Sequence, residues 1–173
     1  MEHVVLVDQQ NNEIGTAPKE TVHTDSTPLH RGFSCFVFND AKETLVTKRS
    51  MIKKTFPGVW TNTVCGHPSH GEESIHAARR RLQDELGLVV RDIKEVAPYQ
   101  YRFADKNGII ENEICPILMG YSNDTPKPKE HEIEAWKWMR WDDFLIDIEA
   151  HPDIYSPWCK EEAMILKKKI ILD

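Results

Sequence analysis

Gly66-His67-Pro68-Ser69-His70-Gly71-Glu72-Glu73-Ser74-Ile75-His76-Ala77-Ala78-Arg79-Arg80-Arg81-Leu82-Gln83-Asp84-Glu85-Leu86-Gly87-Leu88 is the stretch whose reading decides the fold. Five residues separate Gly66 from Glu72, and seven separate Glu72 from Arg80. Ile75, Ala78, Leu82 and Leu86 recur at intervals of three and four, which stacks them on one helical face. Gly87 falls where a C-terminal cap would end that helix. With the apolar stripe buried, Glu85 lies on its flank and can reach a cleft while its neighbours pack. Carboxylates on a short helix suit a hard divalent cation that takes oxygen ligands. Ordinary surface acids on an amphipathic helix would explain any single glutamate here, but they do not explain the full spacing.

Outward from this segment the chain alternates between strand and turn signals. Val4–Val7, Phe33–Phe38 and Thr44–Thr47 are rich in β-branched and aromatic residues and read as strands. Asn39-Asp40 supplies a turn between the last two, which predicts a hairpin. Ile109–Met119 and Ala135–Trp141 read as further strands, parted by the turn-rich Asn123–Lys129. A second helix starts at Ser156-Pro157, with Glu161 and Glu162 early and Lys167–Lys169 late, as the helix dipole favours. The lysine run thus reads as a solvated helix end. Strands, an embedded helix, more strands and a terminal helix predict a mixed α+β domain. At 173 residues the chain fits one domain, 1–173, since roughly 100–200 residues per domain is usual.

The bulk composition narrows the function classes. With 40% hydrophobic and 29% charged residues, the chain reads as an ordinary folded protein. A formal net charge of −6 argues against a general nucleic-acid binder, which must neutralise many phosphates. Local basic clusters can still hold one small anion. No apolar run reaches the ~18 residues of a membrane span, and Met1-Glu2-His3 does not open a secretory signal. Cys35, Cys65, Cys115 and Cys159 form no CxxC pair, so reduced thiols in the cytosol are expected. The closing Ile171-Leu172-Asp173 is no peroxisomal tripeptide.

Three more segments carry chemistry. Trp60-Thr61-Asn62-Thr63-Val64-Cys65-Gly66-His67-Pro68 runs straight into the first motif, and Gly108-Ile109-Ile110-Glu111-Asn112-Glu113-Ile114-Cys115-Pro116 follows later. In an extended chain, residues two apart face the same side, so Cys65 with His67 and Glu111 with Glu113 can each share a cavity. Two carboxylates on one strand face repel unless a cation or a shared proton relieves them. Upstream, Val22-His23-Thr24-Asp25-Ser26-Thr27-Pro28-Leu29-His30-Arg31 adds two imidazoles. Three histidines and two carboxylates suit Mn2+, Zn2+ or Mg2+. A lone histidine is more often a surface or capping residue, so His3, His70, His76, His131 and His151 receive no role. Trp60, Trp136, Trp138 and Trp141 are read as packing residues.

The Gly66–Leu88 segment resembles the Nudix box, a loop–helix–loop that binds a divalent metal and a diphosphate. It departs from the hydrolases of that superfamily at Arg81, where they carry a glutamate. Replacing a carboxylate by a cation removes a metal ligand or base, and its fork of donors suits a diphosphate that is held rather than cut. Taken with the two flanking segments and the His23/His30 spacing, the chain resembles the type 1 isopentenyl-diphosphate isomerase family from about Met1 to Trp158. That resemblance implies a Nudix-type mixed β-sheet core flanked by helices, interconverting isopentenyl and dimethylallyl diphosphates. It implies Cys65 and Glu113 as the acid/base pair on opposite faces of the substrate, with Tyr101 assisting Glu113. It places His23, His30, His67, Glu111 and Glu113 around Mn2+ or Zn2+, and Glu85 with the Cys65 carbonyl on a Mg2+ shared with the diphosphate. Lys19, Arg49, Lys53 and Arg81 fall at diphosphate-binding positions, while Tyr101 and Trp158 line the hydrocarbon pocket. A small allylic or homoallylic diphosphate is the expected partner, with no nucleic acid, no membrane, and a monomer or weak dimer in the cytoplasm. A thiol with an ordinary pKa near 8.5 would reach both protonation states near neutrality.

Two other classes stay open on sequence. One is a Nudix diphosphohydrolase of nucleoside diphosphate derivatives, which Arg81 and the Cys65/Glu113 pairing disfavour. The other is a non-catalytic metal-binding protein, which the box and the basic positions disfavour because they imply an anionic ligand.

Overall fold

The computed structural model describes residues 2–170. Met1 and Ile171-Leu172-Asp173 lie outside the described residues. In chain order the elements are β1 (His3–Val7), β2 (Glu13–Pro18), α1 (Lys19–Val22), β3 (His30–Arg31), β4 (Phe33–Phe38) and β5 (Glu43–Arg49). Then come β6 (Trp60–Thr61), β7 (Val64–Gly66), α2 (Ser74–Leu86), β8 (Arg91–Ala97), β9 (Gln100–Ala104) and β10 (Ile110–Ile114). The chain continues through β11 (Ile117–Tyr121), β12 (Ile133–Arg140), α3 (Trp141–Ala150), a short 3-10 turn (Pro152–Ile154) and α4 (Pro157–Lys169). The expected mixed α+β class, with a mixed sheet core flanked by helices, is what the chain adopts. Among the described residues no helix is long and apolar enough to cross a membrane.

Two ribbons organise the molecule. Residues 30–38 and 110–121 run side by side in parallel, His30 opposite Glu113 and Ser34 opposite Ile117. Both pass from one sheet to the other. The first sheet has the order β2-β1-β3-β10-β9, and the second β12-β5-β4-β11-β8. The single strand expected over Ile109–Met119 is therefore two strands. Pro116 cannot donate to a ladder, and the Cys115 N–H turns aside to the Tyr99 carbonyl. At the same level Gly32 breaks the partner ribbon.

In the second sheet β4 and β5 pair only at Phe38 and Thr44, because residues 60–66 wedge between them. There β6 pairs with β5 and β7 with β4, setting Cys65 opposite Ser34. Alternation along β4 sends Phe33, Cys35 and Val37 into a core with Leu82 and Leu86 of α2. Phe36 and Phe38 enter another core with Trp141, Phe144, Trp158 and Leu166 of α3 and α4.

The box helix is capped as read, with Gly87 at φ 64° and its N–H bonded to the Gln83 carbonyl. Lys127 and Lys129 donate to the carbonyls of Leu86 and Glu85, so the turn-rich stretch closes the end of α2. The strand expected to reach Trp141 stops at Arg140. Asp142 and Asp143 favour a helical first turn there, and Trp141, Phe144, Leu145 and Ile148 form its buried stripe. Strands β2, β8 and β9 had no counterpart in the sequence reading: the exposed positions of β8 and β9 are largely polar, and β2 buries no residue that would mark an alternation.

Candidate active site

A cleft of about 560 Å3 opens where the two sheets meet. It is lined by His23, Cys65, His67, Tyr101, Glu111, Glu113 and Trp158, together with the cations Lys19, Arg49, Lys53 and Arg81. Of the residues singled out in the sequence, His30 and Glu85 stay outside the lining. His30 is fully buried behind it, and Glu85 sits behind Arg81, whose Nε reaches Glu85 Oε1 at 2.7 Å.

Strand parity explains the grouping. Glu111 and Glu113 face the same way from β10, and Glu113 lies opposite Tyr101 on β9 and His30 on β3. Candidate ligand atoms of His23, His30, His67, Glu111 and Glu113 all lie within 4.8 Å of one another. His67 Nε2 meets Glu113 Oε1 at 3.0 Å, and His30 Nε2 stands 3.5 Å from the same oxygen. His30 Nδ1 lies 2.9 Å from the Pro28 carbonyl; a proton there frees Nε2 to act as a ligand. His23 Nε2 and Glu111 Oε2 are 3.1 Å apart. They are not aligned as a hydrogen bond, and with His30 Nε2 they are buried without partners among the described residues. Three unpartnered atoms, from His23, His30 and Glu111, beside the paired His67 and Glu113 fit a divalent cation. Burial alone would push the Glu113 carboxyl up, yet the charges and hydrogen bonds of His67 and His30 hold it well below the usual range.

Cys65 Sγ donates to Asn62 Oδ1 at 3.1 Å and lies 3.3 Å from Ser34 Oγ. Burial first, and then Glu162, push its thiol up to about 12, against the pull of the Ser34 hydroxyl. The thiol therefore dominates at neutrality, which corrects the expectation that both forms are populated there. Burial, followed by the charge of Glu113, also pushes Tyr101 well above its usual range, so its hydroxyl stays protonated. Trp158 is 1% exposed and stacks on Tyr101 at 5.6 Å and 19°.

The cations are all engaged. Arg49 donates to the Thr55 and Phe56 carbonyls at 2.8 and 3.1 Å and sits 5.7 Å over the Trp158 ring. Lys53 pairs with Glu132, and Lys19 with Glu2 at 2.6 Å. Arg81 reaches Glu85, Glu132 and Glu2.

The sequence reading missed five supporting residues. Thr55 donates to Glu111 Oε1, Glu132 joins Lys53 to Arg81, and Asn62 and Ser34 hold the thiol. Gly32 leaves room for Glu113. Only Asn62 stood in a quoted motif; the others reveal themselves through tertiary contacts.

The match to known proteins agrees with this geometry. The NUDIX domain family model matches residues 28–159. A Saccharopolyspora erythraea protein called isopentenyl-diphosphate Delta-isomerase is 45% identical over 94% of this chain and 84% of its own. The chain belongs to the isopentenyl-diphosphate Delta-isomerase family, within the NUDIX domain proteins. Relatives of that name from Kocuria rhizophila and Salmonella arizonae are 43% and 44% identical, each covering 94% of this chain and 91% and 90% of theirs. A crystal structure from Deinococcus radiodurans shares the fold at TM-score 0.75 and 18% identity, over 95% of this chain and 98% of that one. A MutT NUDIX hydrolase from Burkholderia pseudomallei follows at 0.63 and 17%, over 83% and 98%. At such identity these two structures bear on fold alone.

Proposed function

We propose that this chain is an isopentenyl-diphosphate isomerase that moves a proton across a five-carbon diphosphate, interconverting isopentenyl and dimethylallyl diphosphates. The observation that carries this reading is the cleft that gathers a thiol, two carboxylates, stacked aromatic rings and four cations, in a member of a family bearing that name. Protonating an unactivated alkene gives a tertiary carbocation, so the site must supply an acid, stabilise positive charge, remove a different proton and exclude water.

Glu113, assisted by the Tyr101 hydroxyl, protonates the alkene, and Cys65 removes the allylic proton from the opposite face; this direction starts from a protonated Glu113 and a Cys65 thiolate and ends in the carboxylate and thiol that the free cleft holds. The reverse reaction exchanges the two roles. To act as the base Cys65 must shed its thiol proton. Its burial opposes that, while a hydrogen bond from the Ser34 hydroxyl favours it. Trp158 faces the hydrocarbon and can stabilise the cation by ~2 kcal/mol if desolvated, a modest part of the roughly 8–23 kcal/mol an enzyme removes from a barrier. Placement and electrostatics supply the rest.

His23, His30, His67, Glu111 and Glu113 would hold Mn2+ or Zn2+, which when bound neutralises the paired carboxylates and sets the proton affinity of Glu113. Lys19, Arg49, Lys53 and Arg81 bind the diphosphate. A diphosphate that draws Arg81 away releases Glu85, which with the Cys65 carbonyl would share a Mg2+ with it. We read residues 1–173 as one domain, a monomer or weak dimer, working in the cytosol, where the four cysteines stay the free thiols seen here.

Incubation with isopentenyl diphosphate and Mg2+ is expected to give the dimethylallyl isomer. In deuterated solvent, C65A and E113Q should each lose turnover. Full isomerisation by both variants would end this reading of the pair, and phosphate release from nucleotides without isomerisation would make the chain a hydrolase.

A further inference from the structure

The reaction leaves a fully buried acid of α4 unused. Glu162, one turn after Trp158 on α4, is 0% exposed. In the sequence it stood only as one of two acids early in that helix. Among the described residues neither of its carboxyl oxygens has a hydrogen-bond or ion-pair partner. An ionised carboxyl there would be a desolvated charge without a counter-ion, which is strongly disfavoured. It is therefore a neutral acid with one O–H to give. Burial holds it well above the usual carboxyl range, reinforced by the charges of Glu113 and Glu161, while the nearby Ser34 hydroxyl pulls the other way. Ser34 approaches without reaching hydrogen-bond geometry. The thiols of Cys65, Cys115 and Cys159 also feel this acid.

Ser34 has a choice of directions. Its Oγ stands 3.3 Å from Cys65 Sγ and 3.5 Å from Cys115 Sγ. Asn62 leaves Cys65 less freedom. Its Nδ2 donates to the carbonyls of Cys35 and Val64 at 3.1 and 3.0 Å, so its Oδ1 must face the thiol and accept the S–H. The lone pairs of that sulfur then look toward Ser34. An anionic Glu162 would draw the Ser34 proton to itself, whereas a neutral one offers its own.

We propose that Glu162 is a positioning residue for Cys65: as a neutral acid it donates to Ser34 Oγ and so turns the Ser34 proton onto the Cys65 sulfur. The resulting chain runs from Glu162 through Ser34 and Cys65 to Asn62, each group donating to the next. It supplies the donor that a sulfur needs when it gives up a proton, and it keeps the thiol in one orientation. The inference deepens the isomerase reading and rests on Cys65 being the group that transfers a proton.

The test uses the purified full chain and four variants, E162M, E162Q, S34A and C65A. Isomerase kcat and KM are measured with Mg2+, and the alkylation rate of Cys65 by iodoacetamide is measured without substrate, by mass spectrometry. E162M and S34A should each lower kcat about tenfold at unchanged KM, the rate equivalent of one hydrogen bond, and slow Cys65 alkylation alongside. E162Q keeps an N–H to donate and should retain most of both. The double variant E162M/S34A should lose no more than either single one, since the two act as a unit. Wild-type kcat and alkylation in E162M would overturn the proposal, and so would an equal loss in E162Q, which would make the acid itself a proton carrier. Should E162M not fold, S34A decides by the same readouts. An inactive C65A with unaffected E162M and S34A defeats the positioning role alone; a fully active C65A removes the isomerase site reading and this inference with it.

Discussion

A methyl group on Gly32 would fall 1.8 Å from Glu113 Oε2, so the acid can occupy its place among the histidines only beside a residue without a side chain. G32A is expected to keep its far-UV circular dichroism while kcat falls about 10²-fold, the usual effect of displacing a reacting group by an ångström. Lys53 offers a second test at this scale. Burial and the neighbouring Arg49 bring its ammonium down to about 8, with Glu85 pulling upward. Below that pH it is a cation able to meet a diphosphate; above it the charge is lost. The kcat/KM for isopentenyl diphosphate should therefore fall as pH rises through about 8, and K53R should carry the fall to higher pH. For stability the sign is opposite. The unfolded lysine stays protonated to about 10.4, so the cost of burying the cation disappears as pH rises from about 8 to that value. K53M should accordingly raise the melting temperature at pH 7 more than at pH 10.

Among the elements, α2 shows how local signals become a site. Its apolar stripe seats it on the odd-numbered side chains of β4. That rotation puts Arg81 at the cleft and Glu85 one turn behind it, bonded together. Gly87 ends the helix at φ 64°, and a β-carbon there would meet Lys127 Cβ at an ordinary 3.4 Å. The cost of G87A is then the left-handed backbone itself, about 1–2 kcal/mol. Since about 1 kcal/mol moves a chain of this length by roughly 2–4 °C, calorimetry should show a drop of that order or up to twice it, with little change in KM. Helix α3 teaches the converse. The Trp141, Phe144, Leu145, Ile148 periodicity was present in the sequence, but the β-rich run before it drew the strand one residue too far and concealed the helix.

At the scale of the whole molecule, the cleft exists because two parallel ribbons carry strands from one sheet into the other and hold the histidine–glutamate cluster at the crossing. Five potential ligands, four of them buried and His67 half-buried, face one another there, and a cation bound to the folded state alone would stabilise it by about 2.7 kcal/mol at a hundred times its Kd. Adding Mn2+ or Zn2+ to chelator-treated protein should raise the melting temperature, and H23A/E111Q should abolish the rise. A cluster that melts identically with and without these ions would remove the metal from the account.

The sequence by itself determined what depends on neighbours along the chain: the box helix and its glycine cap, the alternation that sends Glu111 and Glu113 to one side, the proline start of α4, and the residue types capable of this chemistry. Tertiary structure alone decided that Ile109–Met119 divides between two sheets, that His30 meets Glu113, that Ser34 faces Cys65, and that Glu162 is sealed in the core. Periodicity reports the sterics of a few adjacent residues. Which polar group loses its water depends on the register between strands far apart in the chain, and that register is set by burying two cores at once.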